Sequence, residues 1–323
     1  MKVSYGLTLS SEEHDAPRLV EVAQLAEAAG FDFVAISDHY HPWLSAQGHS
    51  PFVWGVLGAV AASTERVEVG VGVSCPIMRI HPAIYAQAVA TADALLEGRL
   101  VWGVGTGEAL NEHIFGDHWP PHEERLEMLE EALTVIRRLW SEESVSHQGR
   151  FYWVEDARVF DPPRQDLPII VSAFGPRAAA KAAELGDGLW ITGAASETIE
   201  LYREAGGEGP VYSQLTLSWA EDQAEAIATA HELWSFSSLP GQLNQDLPTI
   251  AHFEQAVELV TPEQVAVDMP CGPNPEPILE AAQKAIEAGV DHLYFHQVGP
   301  DQEGFVEFWE AELAKPLAEM EAA

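Results

Sequence analysis

Residues 100–113 read LVWGVGTGEALNEH. An apolar run of strand type ends in a glycine cluster and passes into helical sequence, an arrangement that invites two folds. In a doubly wound sheet such a turn holds a dinucleotide, with G-x-G-x-x-G spacing and an acid about 20 residues further on. Here the glycines stand at 103, 105 and 107. That spacing misses the fingerprint, and the acid at the expected distance has no partner in a βαβ unit. Glycine serves equally well for a tight turn or for close backbone approach to a flat ring. The flanking sequence has to decide.

On both sides the same unit recurs. Apolar, β-rich runs at 3–9, 32–37, 67–75, 100–107, 168–174, 188–193, 210–219 and 292–298 alternate with alanine-rich amphipathic runs. Gly30 stops one helix and Pro82 opens another. Strands apolar on both faces, nearly all followed by a helix, imply a parallel sheet. Eight such units predict an α/β fold of the TIM (β/α)8 barrel type, with a doubly wound open sheet as the alternative. The chain has 323 residues, against about 250 for a plain barrel, so insertions are expected. They fall near 39–52, 141–166 and 236–273. The second reads as a hairpin turning at Gln148-Gly149, the third as a lid. With no repeat and no linker, a single domain over 1–323 is expected.

The net charge is −35, from 51 acidic and 16 basic residues, and only Lys2, Lys181, Lys284 and Lys315 are lysines. Such a surface repels phosphate backbones and anionic lipid, which argues against nucleic-acid and membrane partners. At 47% hydrophobic and 9% aromatic the chain is too apolar for disorder. A folded protein this acidic and lysine-poor points to a halophilic setting, where salt screens self-repulsion. Cys75 and Cys271 make neither a disulfide framework nor a zinc pattern. No apolar run approaches the ~18 residues of a membrane span, and the N-terminus turns polar at Ser10, unlike a signal peptide. A cytoplasmic location is expected.

Barrel active sites lie at the C-terminal strand ends. The polar residues there begin with Ser10, Ser11, Glu12 and Glu13 after the first strand, and Asp38, His39, His41 and Trp43 after the second. Gly72, Val73, Ser74 and Cys75 end the third, and Glu108, Asn111 and Glu112 follow the fourth. SAFGP and TGAASE follow the fifth and sixth, and His296 and Gln297 the last. In SDHYHPW (37–43), His39 and His41 are two apart, so on extended backbone they point the same way. A metal site with Asp38 or Glu108 is one reading and an ordinary polar loop another, but no HExxH-like spacing accompanies them. Histidine titrates near neutrality and a strand end can aim it, so acid–base work is the expectation, with no metal. Glu108, if desolvated beside the glycines, would have a raised pKa; an exposed loop acid is the alternative. Gly175 and Pro176 open a helix whose free N–H groups could hold a phosphate, with Arg177 nearby; a plain helix start is the alternative.

Several of these stretches together, SDHYHPW, PAIYAQAVAT, GVGTGEALNE, GRFYWVEDARVFDPP, SAFGPRAAAKAAELGDGLW and HLYFHQVGPDQEGFVEFW, resemble the luciferase-like flavin and deazaflavin oxidoreductases. Among these the sequence is most similar to the F420-dependent glucose-6-phosphate dehydrogenase group. The resemblance spans almost the whole chain, specific to about residue 193 and loose over 194–275. It implies a bacterial-luciferase-like barrel binding coenzyme F420, whose C5 accepts a hydride from an alcohol carbon. It implies His39 as base, Glu108 as proton donor to N1 of the ring, and Trp43 as shield. Glu12 or Glu13 would be the first-loop acid, a one-residue offset leaving both open. Asp38, Gly72, Val73, Cys75, Gly107, Asn111, Ala173, Phe174, Gly175, Pro176 and Thr192 would hold the cofactor. Gly72–Val73 matches the family's non-proline cis peptide, and a homodimer is implied.

One departure bears on the substrate. The sugar-phosphate enzymes grip phosphate with two lysines and an arginine after strand six and in the long insertion. Here TGAASE has no base, no arginine occurs from 204 onward, and only Lys284 and Lys315 remain there. A dianion needs opposing charge or several donors. The expected substrate is therefore a neutral alcohol, sugar or hydroxylated lipid. A sugar-6-phosphate dehydrogenase, an FMN-dependent monooxygenase and a non-catalytic flavin-binding protein are the alternatives.

Overall fold

A computed structural model describes residues 2–320. Eight parallel strands close into a barrel: β1 (Ser4–Leu9), β2 (Phe33–Ile36), β3 (Glu68–Ser74), β4 (Leu100–Val104), β7 (Ile169–Ser172), β8 (Gly188–Thr192), β9 (Val211–Leu217) and β10 (His292–Gln297). β5 (Val145–Gln148) and β6 (Trp153–Ala157) form a separate antiparallel hairpin. Hydrogen-bonded order runs β1-β10-β9-β8-β7-β4-β3-β2. Closure by β1 pairing with both β2 and β10 excludes the open doubly wound sheet. Each predicted strand is present, trimmed by one to three residues at an end where the backbone turns into a loop.

Alternation along the strands sorts their residues into an outer and an inner core. Leu7, Leu9, Val34, Ile36, Leu189, Ile191, Leu293 and Phe295 face the surrounding helices. Phe33, Ala35, Val101, Ile170, Trp190, Tyr212 and Tyr294 fill the barrel. Trp190 occupies much of that interior, stacked on Tyr212 at 4.8 Å and donating from Nε1 to the Tyr294 hydroxyl at 2.7 Å. Its indole has room only because neighbouring strands carry glycine. A Cβ on Gly70 or Gly72 would stand 2.8 or 2.4 Å from the ring, and one on Gly103 2.9 Å away. Carried upward, the same alternation turns Thr8, Ser10, Gln214, Thr216 and His296 inward at the C-terminal rim, so the barrel is apolar below and polar on top.

The extra length sits on that rim and beside it. The hairpin makes a four-residue connection over 149–152 rather than a two-residue turn, closed by Gly149 N–H donating to Tyr152 O. The third insertion starts one residue earlier than expected and is helical: Ser235–Ser238, Leu243–Asp246, Ile250–Val257 and Pro262–Asp268. Its Phe236, Phe253, Val265 and Met269 pack with Trp43, Leu44, Leu110, Trp234 and Val298 as a small core of their own above the barrel mouth.

Candidate active site

The loop after β2 carries His39 to the rim, where it meets the loop after β1. His39 Nδ1 lies 3.2 Å from Glu12 Oε1, within ion-pair distance but without hydrogen-bond alignment. Glu12 is 2% exposed, and Ser37 Oγ donates to its Oε2 at 2.6 Å. Glu13 points elsewhere. Its Oε1 accepts from His296 Nε2 at 2.7 Å and its Oε2 from Gly299 N–H at 2.7 Å. In space the two glutamates part: Glu12 faces His39 and Glu13 faces His296.

His39 and His41 do not point the same way, because the segment bends into a turn. His41 Nδ1 donates to Leu110 O at 3.0 Å, and its ring stacks on His113. The two imidazoles have different partners and no common centre. Among the described residues no group of three or more His, Cys, Asp or Glu side chains is placed to hold a metal ion. Trp43 sits 5.2 Å from the His39 ring, stacks on Phe236 at 4.6 Å and meets Phe253 edge-on. Gln47 Oε1 accepts from Trp43 N–H at 2.7 Å and so fixes the turn that carries this indole.

Asp38 is where the structure departs most from expectation. Its carboxylate does not open toward a ligand. Oδ1 accepts from Arg79 Nη2 at 2.8 Å and Oδ2 from the Tyr85 hydroxyl at 3.1 Å, and the side chain is 1% exposed. Arg79 also reaches Glu112, through its backbone N–H at 2.7 Å and Nε at 3.4 Å. One buried guanidinium thus joins the loops after β2, β3 and β4. It serves two carboxylates, so one negative charge is left over. Burial pushes the Glu112 carboxyl up, to about 7, against the pull of Arg79. The carboxyl with the raised pKa beside the glycine run is therefore Glu112.

Glu108, which precedes the short helix Ala109–Glu112, is partly exposed, and Asn111 Nδ2 donates to its Oε2 at 3.4 Å. Asn111 Oδ1 accepts from Tyr40 N–H at 2.8 Å and His41 N–H at 3.1 Å. Asn111 thereby ties the Glu108 turn to the His39 loop. Gly107 has φ +69°, and a Cβ there would stand 2.4 Å from Cys75 Sγ. The buried Cys75 thiol, pushed well above its ordinary pKa by burial, packs against this turn in its protonated form. The Gly72–Val73 peptide is cis. After β7, Ala173 is buried and Phe174 exposed, and Gly175 and Pro176 begin the helix Pro176–Leu185. Thr192 ends β8, exposed. Gly175 and Gly193 both face open space, with nothing within 4 Å of where a Cβ would stand.

This rim belongs to a known architecture. Residues 3–292 match the family model described as luciferase-like monooxygenase. The chain belongs to the luciferase-like family. Within the family it is 36% identical to the F420-dependent glucose-6-phosphate dehydrogenase of Segniliparus rotundus, over 98% of each chain. It is also 36% identical to the enzyme of the same name from Kineococcus radiotolerans, over 97% of this chain and 96% of that one. The structure of an F420-dependent secondary alcohol dehydrogenase in complex with an F420–acetone adduct superposes with TM-score 0.89 at 28% identity, over 98% of this chain and 99% of that one. The resemblance to the F420-dependent glucose-6-phosphate dehydrogenase group holds at full length.

Inside this luciferase-like frame, sequence reasoning missed Arg79, Tyr85, Ser37 and Gln47 as parts of the site. Arg79 lies in an apolar loop, CPIMRI, with nothing to mark it. A signal for Glu112 was present: it follows Glu108 by four, so a helical turn puts both on one face.

Proposed function

We propose that the protein is a coenzyme F420-dependent oxidoreductase that moves a hydride between the carbon of a neutral alcohol and the deazaflavin. The observation that carries this reading is the His39–Glu12 pair at the barrel rim, beneath an aromatic wall of Trp43, Trp234, Phe236 and Phe253. Bound at this rim, the deazaflavin supplies the hydride acceptor. His39 takes the hydroxyl proton, with Nδ1 turned to Glu12 so that Nε2 is the free base. Glu108 holds a proton for N1 of the ring, positioned by Asn111. Trp43 and Phe236 exclude water. The cradle fits a flat, phosphate-bearing group: Cys75, Gly107 and Asn111 form one side, and open space stands over Gly175 and Gly193. Asp38 would act by bracing the loop with its carboxylate, not by offering that carboxylate to the cofactor.

The neutral substrate follows from charge. The stretch after β8 and the insertion bear no lysine or arginine, and Lys284 and Lys315 stand exposed on outer helices. The aromatic wall suits an apolar or weakly polar alcohol, in keeping with the secondary alcohol dehydrogenase that superposes on this chain. The net charge of −35 is best tolerated in concentrated salt. A second copy of the chain would dock on the charge-free face of the helices Val53–Ser63 and Pro82–Leu95, where Phe52, Ile84 and Leu95 are exposed.

The test is titration of the purified protein with F420, followed by fluorescence at low and multimolar salt, then addition of an alcohol panel and glucose 6-phosphate. Micromolar binding with bleaching by a neutral alcohol and not by the sugar phosphate is the expected result. No binding at any salt concentration overturns the cofactor, and turnover of glucose 6-phosphate overturns the substrate class.

A further inference from the structure

Beyond Glu12 the polar contacts do not stop. Ser10 Oγ lies 3.1 Å from Glu12 Oε2 and 3.0 Å from Glu13 Oε1. Glu13 Oε1 is in turn 2.7 Å from His296 Nε2. Gln214 Nε2 stands 3.3 Å from His296 Nδ1. Ser10, Glu12, Glu13 and His296 are all at most 9% exposed, and Trp234 covers His296 edge-on at 4.3 Å. The result is one line of polar contacts from the His39 imidazole, through two carboxylates, to a second imidazole sealed from water, its first link the 3.2 Å His39–Glu12 contact that has still to align.

A count of protons shows what this line lacks. Ser10 has one hydroxyl hydrogen and contacts two carboxylate oxygens. With both carboxylates ionised, one of those contacts is oxygen to oxygen with no hydrogen between. One additional proton satisfies both. A buried array that is complete only after gaining a proton is a built acceptor.

We propose that Glu12, Ser10, Glu13 and His296 are a buried proton relay that drains His39 during alcohol oxidation and holds the proton on the Glu13–His296 pair. The alcohol O–H bond breaks and its proton bonds to His39 Nε2. The Nδ1 proton of His39 passes to Glu12 Oε1. A turn of the protonated Glu12 carboxyl then presents that proton to Ser10, which takes it and gives its own to Glu13 Oε1. The net change is one proton moved from the alcohol oxygen to Glu13, with His39 neutral again. The C–H electron pair leaves with the hydride to the deazaflavin, so electrons balance. The titratable groups around the pair are Glu12, His39, His14, Arg18 and His49. Arg18 is engaged by Glu303, and burial holds His14 below its ordinary pKa, so neither competes for the proton. The relay depends on the proposed function only in taking His39 as the base.

The test has two arms. In the apo protein, carbon-13-labelled histidine is titrated by NMR. Glu13→Gln and His296→Gln are each expected to move the His39 midpoint, Glu13→Gln downward by about half a pH unit as a neighbouring negative charge is lost. In the holoenzyme, Ser10→Ala is expected to lower kcat about tenfold with KM and cofactor affinity unchanged, and Ser10→Thr to restore it. A His39 midpoint that moves in neither variant overturns the relay. So does a moved midpoint with wild-type kcat in Ser10→Ala, which would make the coupling electrostatic only. The NMR arm needs no cofactor, so failure of F420 to bind would defeat the earlier reading and leave this one to be decided.

Discussion

Two parts of the rim are built by opposite means. The loops after β1 to β4 are held by buried charge: Arg79 bridges Asp38 and Glu112, Glu12 faces His39, and Asn111 spans two loops. The insertion from 235 is held by ring packing, and its helices Ile250–Val257 and Pro262–Asp268 bury one residue each, Phe253 and Val265. Directional contacts fix atoms to within tenths of an ångström, whereas apolar packing tolerates exchange of shapes. On the proposed function, the division puts the chemistry in one half of the rim and substrate choice in the other.

Substitutions can break this division. The largest effect is expected in the charged half: His39→Ala should lower kcat by about 10²–10⁴ while F420 binding, read by fluorescence, stays near wild type. Binding lost together with turnover would put His39 in the cofactor cradle instead. Next comes Arg79→Met, which strands two buried carboxylates. It should cost about 3–5 kcal/mol of unfolding free energy in denaturant melts; a loss under 1 kcal/mol would show that the three loops hold without it.

In the aromatic half, Phe236→Ala removes the ring stacked on Trp43. It should raise KM for the best alcohol about tenfold, roughly 1.4 kcal/mol, with kcat changed little. A fall in kcat with KM intact would erase the division. The smallest effect concerns pH. Glu112 titrates near 7 in the fold, raised from 4.5 by burial. The native state therefore binds more protons than the unfolded chain between those values, and stability falls as pH rises through that window. Glu112→Gln should flatten this slope in melts run from pH 4.5 to 8, and an unchanged slope would assign it to other groups.

The barrel was legible because periodicity reports burial on both faces of a strand, and eight repeats of one unit leave little freedom in topology. The placing of His39, Trp43 and Glu108 at the rim was legible because each follows a strand end. The bend between His39 and His41 was not, since it depends on Asn111 and Leu110 reaching across from another loop. Asp38 was assigned to the cofactor on the family resemblance, and nothing nearby in the chain reveals that Arg79, 41 positions on, takes the carboxylate. Long-range ion pairs leave no local periodicity.

Trp190 and the glycines around it have a consequence for how such a barrel can change. Gly72, Gly103 and Trp190 are mutually exclusive volumes from three strands. No single step that adds a side chain at 72 or 103 is open while the indole remains, and no single step that shrinks the indole avoids a void among Phe33, Tyr212 and Tyr294. The interior is therefore a lock on the history of the sequence. It confines accessible variation to the rim above, where loops can be exchanged over a floor that must change all at once or stay as it is.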